Sequence, residues 1–514
     1  MDRTCLVPEG SGYISHLGPS VSHAARRSPP VRLAIIGGGV SGLTAAHRLG
    51  HLLPHAELRL YEASGRLGGP LHTLHAGAAV LEQGADSFLT KTPWAIDLCR
   101  KLGLAGELVP TSEVHRRALV VRDGRLVPVP DGFVLMRPHN LAAVLKSPVL
   151  SRAGKLRLLA EPLVRAPAGI SDADYDESVA SFATRRLGRE AFERLVQPLM
   201  AGIFVADATQ LSLAATYPEF LAAEREHGSL WAGLRHSRKQ AAAPGNSAAA
   251  EPSPGAGARY GAFVTLHGGM SRFIEALADQ LPPGAVRLQT SVTCVAKTSD
   301  QRWAVSAAGD IPETFDGVLI ATPAPHASRL VESFDAALAQ LLGRIECATS
   351  AVVTLVYPRA AVARPLDGFG AVVPTIENRP IVALSFPSVK FPHCSLAEHV
   401  PIRTFMGGVL RPELADRADD ELAAVVRQQL AELVGASGEP LEMHVARWRE
   451  AMPQYRVGHL KLVSQIEQQA VTHRGLELAG SAYRGVGIPQ CIRSGHEAAE
   501  RLAQQLAAAT ERSG

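Results

Sequence analysis

The chain has 514 residues, 46% hydrophobic and 20% charged, with 52 basic against 49 acidic residues and a formal charge of +3. This describes a globular protein long enough for two or more domains, and nothing in the charge balance calls for nucleic acid. No uninterrupted apolar run reaches the roughly 18 residues of a membrane span. The six cysteines form no C-x-x-C pair or metal-spaced cluster, so free thiols in a reducing compartment and no metal site are expected.

Residues 1–30 are rich in Ser, Pro, His and Gly and carry no apolar signal core, and they read as a disordered extension. Val31–Leu49, VRLAIIGGGVSGLTAAHRL, is an apolar strand that enters Gly37-x-Gly39-x-x-Gly42 and then a helix. Gly37 permits the tight turn, Gly39 removes a side chain where a pyrophosphate approaches, and Gly42 lets helix and strand pack. The helix start offers free N–H groups and a positive dipole end to the phosphates. A second strand ends on Glu62, 20 residues past Gly42, placed to accept the ribose hydroxyls and to repel a 2′-phosphate. The run continues as Glu62-x-x-x-Arg66-x-Gly68-Gly69, which resembles the second half of the FAD motif in amine oxidase-like flavoproteins.

Further along, Asn140–Trp231 is helical by period, and Ser178–Phe204 spaces apolar residues three and four apart with charged faces between. Gln240–Arg259 is an Ala/Pro/Gly/Ser stretch too poor in apolar surface to order itself. Phe263–Leu277 reads as strand, turn and helix. Ala285–Val295 alternates as one strand, Trp303–Ala308 is its hairpin partner, and Phe315–Thr322 is a buried strand. Thr349–Gly408 is strand-rich. Leu476–Arg493 leads by a short strand and a loop with Gly485 and Gly487 into a C-terminal helix. That helix start is placed to stabilise negative charge on a flavin's N1–C2=O edge.

The ordered set GADSF (84–88), GRLVPVP (124–130), SVASFATRRLG (178–188), PLMAGIF (198–204), GSL (228–230), LHGGM (266–270), GFGAVVP (368–374) and GSAYRGVGIPQCIRSG (480–495) resembles the oxygen-dependent, FAD-containing protoporphyrinogen oxidases and the related bacterial coproporphyrinogen III oxidases. It spans about residues 31–508. The resemblance implies an α/β fold: a Rossmann-like FAD-binding domain with a strand-rich substrate domain and an inserted helical domain. The implied partition is FAD-binding segments at 31–110, 260–330 and 469–508, substrate segments at 111–139 and 331–468, and a helical domain at 140–235.

By position the resemblance assigns FAD contacts to Gly37, Gly38, Gly39, Val40, Ser41, Gly42, Glu62, Ala63, Arg66, Gly68, Gly69, Gly84, Ala85, Asp86, Ser87, Val292, Ser481, Val486, Gly487 and Ile488. Phe369, Gly370 and Val372 would line an apolar slot for the macrocycle, with Met406 a weaker candidate. Arg117, or Arg116 one residue earlier, would bind a propionate. Arg185, Arg186 and Lys390 are further cationic candidates. The chemistry so implied is hydride transfer from a meso carbon to flavin, with oxygen reduced to peroxide, in three two-electron rounds. No side chain is required as a base, and His267, His326 and His393 are left unassigned. Cys491 reads as a packing residue.

The implied partners are a porphyrinogen and molecular oxygen. The expected location is the cytoplasm with at most peripheral membrane contact, and a homodimer is the assembly entertained. Two alternatives stay open at this point: another enzyme of the superfamily, such as an amine oxidase or carotenoid desaturase, and a flavin-binding protein without turnover.

Overall fold

The structure, a computed structural model, describes residues 30–77, 79–241 and 262–510. The expected N-terminal extension and nearly all of the low-complexity stretch lie outside the described residues. The helix Leu230–Ala241 runs through the first two residues of that stretch.

Arg32–Ile36 is apolar on both faces, and Leu33, Ala34 and Ile35 are fully buried. Such a strand is stable only inside a sheet covered on both sides. It sits at the centre of a five-stranded sheet in the order Val286–Arg287, Glu57–Tyr61, Arg32–Ile36, Gly317–Ile320, Leu476–Leu478. All four pairings are parallel. One face is covered by the helices Val40–Leu52, Ser271–Ala278 and Ile488–Thr510, and the other by Ala324–Val331, Ala336–Gly343 and His459–Ala470. Strands distant in sequence therefore end at one edge of one sheet, the place where α/β folds bind nucleotides.

The second body is a mixed seven-stranded sheet. Its order is Glu442–Pro453, Cys347–Pro358, His399–Gly407, Ala383–Ser385, Gly370–Val372, Leu119–Arg122, Arg125–Pro128. Its residues alternate between two cores, as a period of two requires. Leu119, Val121, Ala371 and Val373 join the core under the helix Asp419–Val434. Ala118, Val120 and Val372 meet the core of the helical segment.

The helical spacing read over Ser178–Phe204 is carried by more than one helix. The helix Val179–Leu187 stops at Gly188, whose φ of +94° a side chain would oppose. A three-residue turn and a π-helical turn at Phe192–Val196 then lead into Gln197–Phe204.

Arg185 and Arg186 are taken up in this segment and are not substrate anchors. Arg186 is fully buried between Glu161 at 3.1 Å and Glu224, and it also donates to the Gly228 carbonyl. Arg185 bridges Glu177 and Glu224. Ser229 Oγ and the Leu230 N–H both donate to Glu161, so the GSL piece serves this network. Buried charges persist when paired and hydrogen-bonded in this way.

The single strand expected over Ala285–Val295 is two. Gln289 adopts φ +53°, and the chain leaves the parallel sheet after Arg287 to join a three-stranded antiparallel sheet at Val292–Lys297. Trp303–Ala307 is its hairpin partner, as expected. Among the described residues no helix is long and apolar enough to cross a membrane.

Candidate functional site

Four separated segments meet at the edge where the parallel strands end. Gly37–Gly42 turns from the central strand into the helix Val40–Leu52. Gly42 is forced by packing, because a Cβ there would lie 2.0 Å from the Gly37 carbonyl oxygen. Gly39 is different. Its φ of −72° suits any residue, and no protein atom lies within 4 Å of where its Cβ would be. Nothing in the protein requires that glycine, so a side chain there would fill the cradle itself. The helix it begins has no side-chain cap and no acid in its first turn, which leaves its N–H groups and positive dipole end for an anion.

Glu62 follows the second strand. Its carboxylate accepts from the N–H groups of Gly38 and Ser64, each at 2.8 Å, so the expected ribose acceptor is held beside the glycine turn. Ala63 is exposed next to it. The Thr290 N–H donates to the Glu62 carbonyl at 2.9 Å, which sets Val292 two residues beyond.

The Gly68 N–H donates to the Gly38 carbonyl, joining the second glycine loop to the first. Arg66 donates to the Leu67 and Gly69 carbonyls at 3.1 and 2.9 Å and lies over the Trp448 ring. It braces its own loop. Gly84 is packed on Pro70, 2.0 Å from the carbonyl oxygen to where its Cβ would be. Ala85, Val40 and Leu67 pack on the same apolar core as Ile488.

The fourth segment comes from the C-terminus. Ser41 Oγ donates to the Cys491 carbonyl at 3.0 Å, across 450 residues of chain. The starts of Val40–Leu52 and Ile488–Thr510 are thereby side by side. Burial pushes the Cys491 thiol up to about 12, consistent with a packing role.

Of the residues that join this edge to the seven-stranded sheet, sequence reasoning gave Asp86, Ser87 and Lys390 other roles and missed Arg403. Asp86 is bound by Lys390 Nζ at 2.7 Å and Arg403 Nη1 at 3.3 Å, and Ser87 Oγ donates to both Asp86 and accepts from Lys390. Arg403 also donates to the Gly84 carbonyl. Burial alone would raise the Asp86 carboxyl, but the two cations outweigh it and hold it at about 2. Lys390 is therefore spent on Asp86 and is not a free substrate anchor.

Glu82, also missed, accepts from the Met270 N–H at 2.7 Å and Thr73 Oγ1 at 3.0 Å. Burial pushes its carboxyl up to about 7. Gly269 in the LHGGM piece has φ +82°, and a Cβ there would lie 2.4 Å from Thr73. Neither Arg403 nor Glu82 has a local signal, because each reads as an ordinary charged residue in its strand.

The expected substrate residues divide. Val372 lies against the helix Gln197–Phe204, its Cγ1 3.4 Å from where a Cβ on Gly202 would be. Val372 and Val486 both pack on the core of the helical segment. Gly370 shares the face of Val372 by strand alternation. It is a glycine for a packing reason, because a Cβ would meet the Leu384 carbonyl oxygen at 2.2 Å. Phe369 is 4% exposed and falls on the opposite side with Ala371 and Val373. Met406 is fully buried in that opposite core. Arg117 is ion-paired with Asp367, which fixes its guanidinium beside the start of the slot strand. Arg116 donates to the Thr111 and Ser112 carbonyls.

Residues 40–503 match the model of a protein family described as flavin containing amine oxidoreductase, and the chain belongs to that family. Its similarities within the family are narrower. It is 30% identical over 477 residues to a coproporphyrinogen III oxidase of Staphylococcus aureus, covering 92% of this chain and 99% of that protein. It is 29% identical over 506 residues to protoporphyrinogen oxidase 2, chloroplastic/mitochondrial, of Arabidopsis thaliana, covering 95% and 97%. Among solved structures, a candidate protoporphyrinogen oxidase from Exiguobacterium sp. 255-15 superposes with a TM-score of 0.81 at 28% identity, covering 92% and 99%. FAD is the cofactor implied, and the open space at Gly39, the uncapped helix start and the Glu62 carboxylate fit its pyrophosphate and ribose.

Two outcomes follow from this geometry. Gly39→Ala should unfold within about 0.5 kcal/mol of the parent yet lose FAD affinity by about tenfold or more. Gly42→Ala should cost about 1–3 kcal/mol of stability. Urea unfolding of the apoprotein and FAD titration by fluorescence check both, and parental FAD affinity in Gly39→Ala would contradict the cradle. Glu82 has its folded pKa raised above the ordinary value, so its contribution is full below about 4.5 and is lost as pH rises towards about 7 and beyond. Unfolding free energy should therefore fall by about 3 kcal/mol from pH 5 to pH 9 through this group. Glu82→Gln should flatten that fall, and an unchanged pH profile would remove Glu82 as its source.

Proposed function

We propose that this protein oxidises a porphyrinogen, coproporphyrinogen III or protoporphyrinogen IX, to the porphyrin, using FAD and molecular oxygen. In this reading the parallel sheet and its helices are the FAD-binding domain, the seven-stranded sheet is the substrate domain, and the helical segment closes the slot between them. The observation that carries it is that Val372 of the slot strand and Val486 of the C-terminal loop both pack on the core of the helical segment. The similarities to porphyrinogen oxidases over nearly the whole chain support the substrate class.

Bound in the cradle, FAD supplies two-electron oxidation of a C–H bond and returns the electrons to oxygen as peroxide. The chain's own residues do the rest. Gly39 leaves room for the pyrophosphate, Glu62 accepts the ribose hydroxyls, and the two helix starts bring positive potential to the two ends of the dinucleotide. Val372 and the helix Gln197–Phe204 form a wall that orients a flexible, mostly apolar macrocycle and excludes water. Gln197 Oε1 is spent on the Thr375 N–H and hydroxyl, while its buried Nε2 has no partner among the described residues. Arg117, paired with Asp367 but with its side chain 35% exposed against 12% for Lys390, is the proposed propionate contact, and Phe369 supports the slot strand from its far side.

Purified protein given each porphyrinogen in parallel should produce porphyrin fluorescence with stoichiometric peroxide, and a tenfold or greater preference names the substrate. No porphyrin from either would overturn the reading. A peripheral contact with an anionic lipid surface is part of the proposal. Leu156 and Leu163 are 69% and 84% exposed, and Lys146, Arg152 and Lys155 lie on the same stretch of chain. Cosedimentation with anionic vesicles should occur and should be lost on Leu156→Glu/Leu163→Glu, and recovery of the parent in the supernatant would exclude it. The homodimer entertained from the sequence is read by light scattering.

A further inference from the structure

We infer that Tyr455 is a positioning residue for the flavin end of the cofactor, holding the loop Ser481–Ile488 in place and coupling it to the helical segment over the substrate slot. This rests on the reading that FAD lies with its flavin end at that loop.

Ser481–Arg484 is a single four-residue helical turn between Gly480 at φ +132° and Gly485 at φ +131°. Ala482 and Tyr483 pack in the core on one face of the parallel sheet, Arg484 pairs with Glu467, and Arg493 donates to the Arg484 carbonyl. The carbonyls of Ser481 and Tyr483 and the N–H of Gly485 are held by two side chains from one corner of the chain. The Tyr455 hydroxyl donates to the Ser481 carbonyl and accepts from the Gly485 N–H at 2.8 Å. His459 Nε2 bonds the Tyr483 carbonyl at 2.9 Å. Residues 481, 483 and 485 are thus all held from Tyr455 and His459.

The two rings stack at 4.0 Å and 16°, so each fixes the other. Tyr455 is 1% exposed, and both capacities of its hydroxyl are spent on loop backbone. Burial pushes His459 down to about 4, so the imidazole is neutral and Nε2 carries the proton it donates.

The corner itself is anchored to the helical segment. The Ser212 N–H donates to the Tyr455 carbonyl at 2.7 Å, and the Val457 N–H donates to the Gln210 carbonyl. The Gly458 N–H donates to Asp176, and Gln454 Nε2 donates to the Phe204 carbonyl at the end of the helix over Val372. Tyr455 belongs to the same core on which Val372 and Val486 pack. A shift of the helical segment is therefore carried through one phenol to the loop that presents the second helix start.

Tyr455→Phe keeps the ring, its stack and its volume, and leaves the Gly485 N–H and Ser481 carbonyl without partners. In the apoprotein, hydrogen exchange at residues 481–487 should accelerate by roughly tenfold. In the FAD-loaded protein the visible flavin bands should shift, the oxidised-to-reduced equilibrium should move by roughly tenfold, and kcat should fall by a similar factor with KM within about twofold. Leu433→Ala, a core change in the helix Asp419–Val434 within a cluster that contains neither Tyr455 nor the loop, should lower stability and leave exchange and flavin spectrum at parental values. Parental exchange in Tyr455→Phe, a parental flavin spectrum, or equal changes in Leu433→Ala would each overturn the assignment. Exchange and spectrum need no porphyrinogen, so an absence of turnover would sink the substrate reading while leaving this one tested.

Discussion

The approach of two helices at their first turns is the constraint on which the site depends. A Cβ on Gly495 would lie 2.1 Å from the Ser41 carbonyl oxygen, and Ser41 Oγ reaches the Cys491 carbonyl. Only with glycine at 495 do Val40–Leu52 and Ile488–Thr510 lie close enough for both starts to address one bound dinucleotide. The energy comes from a continuous apolar core that includes Leu43, Ala46, Ile492, Ala499 and Leu502, all nearly or fully buried. Both helices present the N–H groups of their first turns, which have no helical partners, at this same end.

The two sheets are joined by polar contacts. Asp86 holds Lys390 and Arg403, Trp448 Nε1 donates to the Gln83 carbonyl at 2.8 Å, and Arg66 lies over Trp448. These contacts specify geometry in a way apolar packing does not, because a hydrogen-bonded charge accepts few alternative partners. The slot strand and the cradle are registered through them. The C-terminal loop is registered through Tyr455. The result is a cofactor edge tied independently to each body that would surround the substrate.

Much of this edge is legible in the sequence, for a physical reason. Glycines at 37, 39 and 42, the acid at 62 and the pair at 68–69 act through local backbone geometry, and local geometry is written in local spacing. The parallel sheet's central strand is equally plain, since a run apolar on both faces has few other stable places. What escapes the sequence acts over distance. Arg186 looks like a cation on an exposed helical face, and Glu161 and Glu224 neutralise it from elsewhere in the chain. Arg403 and Glu82 read as ordinary strand residues until the sheets meet. The break at Gln289 interrupts an alternation that continues on both sides of it, so periodicity alone joins the two strands. Phe369 and Val372 look like one wall in a linear motif, and the pleat puts them on opposite faces.

In the proposed reading Gly37–Gly42, Glu62–Gly69, Gly84–Ser87 and Ser481–Ile488 form a single cofactor cradle. Hydrogen exchange of the apoprotein, followed as FAD is added, tests it most directly. All four segments should gain protection together and saturate at the same FAD concentration. Protection confined to Gly37–Gly69, with Gly84–Ser87 and Ser481–Ile488 unchanged at saturation, would contradict it.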